Sequence, residues 1–155
     1  MIDHVWTVIC SNVVVDKESN NVSLHNILEQ LTVRKRMSSE EENSSGDVPS
    51  EMVIPYRFTV VTLWSRSDLS KRVIGYGRVK LLSPDEEPLI EPGEFEIDLY
   101  NNRRFRSKGK FSGFPVKGAG RYKLVVDVRI DEEADWEQVA SVPVEVRFTE
   151  DVDKE

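Results

Sequence analysis

Four short runs of this chain alternate apolar and polar residues, and that period of two restricts the fold more than any other feature. They are YRFTVVTLW (residues 56–64), EFEIDLY (94–100), RYKLVVDVRI (121–130) and VPVEVRF (142–148). Successive side chains of an extended chain point to opposite faces, so each run reads as a strand with one face against a core. Phe95, Ile97 and Leu99 share one face, with Glu94, Glu96 and Asp98 on the other. Tyr122, Leu124, Val126, Val128 and Ile130 likewise fall together. The rest of the chain has the same texture: runs rich in Val, Ile, Thr, Tyr and Phe, broken by Gly, Pro, Asn and Asp. This is the pattern of an all-β sandwich or barrel. Strands are expected near 3–15, 22–36, 53–65, 72–82, 94–100, 103–111, 121–131 and 138–149.

One segment is ambiguous. In SLHNILEQLTV, Leu24, Ile27, Leu28 and Leu31 fall at helical spacing, but the segment runs into the β-branched pair of LTVRKR. A strand with a bulge near Glu29 and Gln30 restores the inward face after the phase slip, and is expected here. Residues 37–51 have no periodicity and carry five acidic side chains with no base. That composition predicts a solvated, disordered loop.

The 155 residues are the size of one domain, expected over 1–149 with an acidic tail at 150–155. The formal net charge of −7 is uneven: residues 52–149 hold sixteen bases and fifteen acids, and the excess negative charge sits in the 37–51 loop and the tail. A near-neutral body gives no bulk attraction to nucleic acid or anionic lipid. Asp3 and His4 stand where a secretory leader needs a basic end and then an apolar run, and no apolar stretch approaches membrane-spanning length. A cytoplasmic protein is expected.

Two stretches resemble known structures. VICSNVVVDKESNNVSLHNILEQLTV resembles the start of a family of small bacterial single-domain proteins of unknown function, which open with a strand, a short Asp/Asn turn and a Ser-Leu-x-Asn-Ile strand. GAGRYKLVVDVRIDEEADWEQVASVPVEV resembles the last two strands of immunoglobulin-like sandwiches, where Gly-x-Tyr opens an alternating strand. The resemblance implies an antiparallel β-sandwich of about seven to nine strands, immunoglobulin-like in character. It brings no catalytic residue to this chain.

Chemistry-bearing residues are few. The only histidines are His4 and His25 and the only cysteine is Cys10. His4 and Cys10 share strand parity but lie six residues apart, about 20 Å along an extended chain, too far for a nucleophile–base pair. These three lack zinc-site spacing. Acidic loops offer a calcium reading instead, with Asp131 and Asp135 joined by Asp85, against the simpler reading of solvated turns. The Gly75–Gly77 and Gly118–Gly120 pairs lack the strand-to-helix setting of a phosphate loop. No catalytic set, metal or cofactor is expected.

The remaining feature is RRFRSKGKF, residues 103–111, five positive charges in eight residues. Extended, it puts Arg104, Arg106, Lys108 and Lys110 on one face and Phe105 and Phe111 on the other. The separation argues against a nucleic-acid platform, which needs aromatics beside the charges. Two readings stay open. A hairpin with residues 94–98 sets Asp98 opposite Arg104, Glu96 opposite Arg106 and Glu94 opposite Lys108, and needs no partner. Otherwise Arg103, Arg104, Arg106, Lys108 and Lys110 form a surface for an acidic protein partner. The chain is expected to be a non-catalytic interaction module, with a calcium- or small-ligand-binding domain as the alternative.

Overall fold

The computed structural model describes residues 2–35, 52–90 and 93–150. The expectations for 37–51 and for the end of the tail lie outside the described residues. Eleven strands and no helix form among those described: β1 (Ile2–Val15), β2 (Val22–Ile27), β3 (Gln30–Lys35), β4 (Met52–Ile54), β5 (Phe58–Arg66), β6 (Val73–Leu82), β7 (Gly93–Leu99), β8 (Arg104–Phe111), β9 (Phe114–Val116), β10 (Gly120–Arg129) and β11 (Glu137–Glu150). They make a four-stranded sheet in the order β2-β1-β5-β8, a five-stranded sheet in the order β3-β11-β10-β6-β7, and a two-stranded ladder of β4 and β9. The fold is all-β, as the alternation required.

Both larger sheets feed one hydrophobic cluster. The four-stranded sheet contributes Ile9, Phe58, Val60 and Trp64; the five-stranded sheet contributes Val79, Leu81, Ile97, Leu99, Tyr122, Leu124, Val126, Val144 and Val146. Alternation located these faces correctly at β5, β7 and β10. It overran at one end: β10 stops at Arg129, and Ile130 is 58% exposed.

The expected bulged strand over 22–36 is instead two strands in different sheets. β2 pairs with β1, and β3 runs parallel to β11, so the ladders are not all antiparallel. The chain crosses at Leu28 and Glu29, where Leu28 is buried and donates its N–H to the Ile9 carbonyl at 2.7 Å. Asn26 adopts φ 54°, which turns the chain out of β2; asparagine tolerates this left-handed region better than most side chains. Apolar residues on both sides of the crossing serve the two sheets in turn, which explains the phase slip.

Two local devices fix the packing. The Gly75–Gly77 pair faces the core, and a Cβ at Gly77 would run into the Phe95 ring. The Tyr122 hydroxyl is fully buried, accepts the Lys117 N–H at 2.7 Å and donates to the Gly118 carbonyl at 2.7 Å. It pins a turn in which Gly118 sits at φ 82°, a conformation cheap only for glycine.

Candidate functional site

The basic run becomes β8, an edge strand whose neighbour is β5. Register decides which way its side chains point. Phe105 lies opposite Trp64 and Phe111 opposite Phe58, so both aromatics join the core side, and Phe111 stacks on Phe58 with centroids 4.9 Å apart. Arg104, Arg106, Lys108 and Lys110 lie opposite Ser65, Leu63, Val61 and Thr59, on the face turned away from the core. Arg103 precedes the strand and is exposed.

The expected hairpin with the acidic stripe does not form. β7 pairs with β6 in the five-stranded sheet while β8 pairs with β5 in the four-stranded one, so the connection through residues 100–103 crosses between sheets. Glu94 lies opposite Arg78 and is ion-paired to Arg129 at 3.3 Å. Asp98 accepts the N–H groups of Tyr100 and Asn101 at 3.0 and 3.1 Å, closing the turn. Those bonds, with Asn101's first, hold its carboxyl below the usual aspartate range. Glu94 and Asp98 are therefore engaged elsewhere, and Glu96 lies opposite Tyr76 in the other sheet.

Among the described residues, the ion-paired lysines and arginines are Arg78, Lys80, Lys117, Arg121, Lys123 and Arg129. None belongs to β8. The buried Asp127 takes both Arg78 at 2.8 Å and Lys80 at 3.0 Å, and the guanidinium groups of Arg78 and Arg129 each lie over the Trp136 ring, 4.4 and 4.3 Å from its centre. Five of these six cations stand on the five-stranded sheet, whereas among the described residues the cations of β8 have no ion-pair partner.

A second segment reaches this face. The β1–β2 hairpin turns over residues 16–21, where Asp16 accepts the Glu18 N–H at 2.8 Å and Asn20 takes φ 59°. The Asn20 carbonyl accepts a hydrogen bond from Arg106 Nη2 at 3.0 Å. Cys10 is level with Lys110, since both lie opposite Thr59. A straight hairpin would carry its tip about 30 Å from Arg106, at roughly 3.3 Å per residue. The contact therefore requires the hairpin to fold back over the outer face, across β5. That cover accounts for Cys10 and Val61, both 0% exposed although they point away from the core.

Between the hairpin base and β8 lies an open cleft of about 470 Å³. Ser11, Asn12 and Val13 line one side, Lys108, Lys110 and Ser112 the other, with Arg57, Phe58 and Thr59 between them. Arg57 joins the site although no motif singles it out: it stands just before β5, where the register brings it to the end of the basic row.

The other candidate residues stay apart. A register shift between His4 and Trp6 overturns the expected parity. His4 faces the core side opposite Trp64, with Nε2 2.7 Å from Thr7 Oγ1, while Cys10 points to the outer face. Burial lowers the His4 pKa and raises that of the Cys10 thiol. His25 is exposed opposite Asn12. Asp85 follows β6 near the start of β10, whereas Asp131 follows the end of β10, so the two acidic loops lie at opposite ends of their sheet. Asp131 caps its own turn by accepting the N–H groups of Glu133 and Ala134 at 2.9 and 2.7 Å. Among the described residues, no three His, Cys, Asp or Glu side chains gather as metal ligands, and no helix is long and apolar enough to cross a membrane. Compared with known proteins, the sequence matches no family model and no curated protein.

Proposed function

We propose that this chain is a non-catalytic, cytoplasmic β-sandwich module, immunoglobulin-like in its C-terminal strands, which binds an acidic protein partner through β8. Support for the sandwich comes from the single core shared by two sheets and from the Tyr122 hydroxyl, which ties the start of β10 to the preceding turn as in the tyrosine corner of such folds. One observation carries the functional reading. Arg104, Arg106, Lys108 and Lys110 line one outer face with no ion-pair partner among the described residues, while Arg78, Lys80 and Arg129 of the opposite sheet are ion-paired. Such a row complements an acidic surface and speeds encounter with it. Charged edge strands also discourage edge-to-edge aggregation, a role that needs no partner. The two roles separate in one experiment: a folded Arg104→Glu, Lys108→Glu, Lys110→Glu variant loses a captured acidic partner if β8 binds it. If the variant only self-associates and keeps its partners, the charges serve solubility and the proposal fails.

A further inference from the structure

We infer that the cleft beside β8 is a receptor for a phosphoryl group, held by Arg57, Lys108 and Lys110. This deepens the reading of β8 as a partner surface and rests on it. Among the described residues, three cations and no carboxylate line the cleft. A single carboxylate brings one negative charge to that set. A phosphate monoester brings about −1.5 to −2 at neutral pH and three strong acceptor oxygens, one for each cation. Arginine adds a planar donor fork suited to phosphate oxygens, and the lysines act as point charges.

The surroundings strengthen the match. Asn12 and Ser112 are exposed in the cleft and offer neutral donors. The bond from Arg106 to Asn20 holds the hairpin over β5 and so fixes the wall opposite the lysines. It also divides the basic row: Arg106 is committed to the hairpin, and Lys108 and Lys110 remain to meet a ligand.

The test uses the full chain at low ionic strength with four probes: inorganic phosphate, an alanine–glycine peptide with one central phosphoserine, and the same peptide with serine or glutamate there. Amide shifts report the position of binding and calorimetry its strength. Phosphate and the phosphopeptide are expected to move the amides of Asn12, Arg57, Lys110 and Ser112 saturably. Arg57→Gln and Lys110→Gln, both at exposed side chains, should each weaken binding about tenfold, the worth of one charge-assisted hydrogen bond, with the melting temperature unchanged. Tighter binding of the phosphopeptide than of free phosphate assigns a peptide source; equal binding assigns a small phosphorylated molecule. If neither phosphorylated probe binds saturably, or if both variants bind as the native chain does, the inference is overturned. If the glutamate peptide binds at β8 as tightly as the phosphopeptide, the phosphoryl assignment fails while the partner-surface reading stands.

Discussion

Removing one oxygen atom should cost this fold a measurable part of its stability. Tyr122→Phe keeps the ring that packs edge-on to Phe114 at 5.7 Å and deletes only the hydroxyl. That hydroxyl, on a fully buried side chain, makes two backbone hydrogen bonds of 2.7 Å each, to the half-buried Lys117 and Gly118. A net hydrogen bond contributes about 0.5–1.5 kcal/mol, and a buried polar group that loses its partner costs about 1–3 kcal/mol. A loss of about 2 kcal/mol follows, which at this chain length lowers the melting temperature by about 4–8 °C. Urea unfolding should show a lower midpoint with an unchanged slope, since the area exposed on unfolding is the same. Tyr100→Phe, at an exposed tyrosine, serves as the control and should shift neither. A Tyr122→Phe midpoint equal to the native one would refute the claim that the hydroxyl pins the turn before β10.

Gly77→Ala should destabilise by about 1–3 kcal/mol because the new methyl meets the Phe95 ring in the core, whereas Gly93→Ala, with open space around it, should not; calorimetric midpoints decide. Asp127→Asn should cost more than Glu145→Gln, because Asp127 is 3% exposed between two cations while the Arg121–Glu145 pair is solvated; the second change should stay within about 1 kcal/mol in denaturant titrations. For His4, burial makes the folded-state pKa lower than the ordinary 6.5, so the unfolded chain takes up the proton first. Its contribution to stability is complete above 6.5 and is lost as pH falls through 6.5 towards the folded value; His4→Asn should flatten that part of the stability–pH curve.

The strands were legible because period-two alternation is local: Phe95, Ile97 and Leu99, or Tyr122, Leu124 and Val126, declare a shared face without any neighbour. Neighbours themselves were not legible. Alternation made Glu94, Glu96 and Asp98 look like partners for Arg104, Arg106 and Lys108, but which strand lies beside which depends on whether residues 100–103 turn within a sheet or cross between sheets. The same limit hid the crossing at Leu28 and Glu29, whose apolar flanks fit either one bulged strand or two. A single irregularity between His4 and Trp6 reversed the face of everything after it, which parity counting cannot detect. Arg57 was invisible for a related reason: its role comes from being brought beside Lys108 and Lys110, and nothing in its own sequence neighbourhood marks it.

The most direct test of the partner surface compares capture from host extract by three folded forms: the native chain, the Arg104→Glu, Lys108→Glu, Lys110→Glu variant, and a Glu94→Lys, Glu96→Lys variant of the opposite sheet. An acidic protein should be retained by the native chain and the β7 variant, released as salt is raised, and lost from the β8 variant alone. Equal capture by all three forms, or loss through the β7 variant instead, would contradict it.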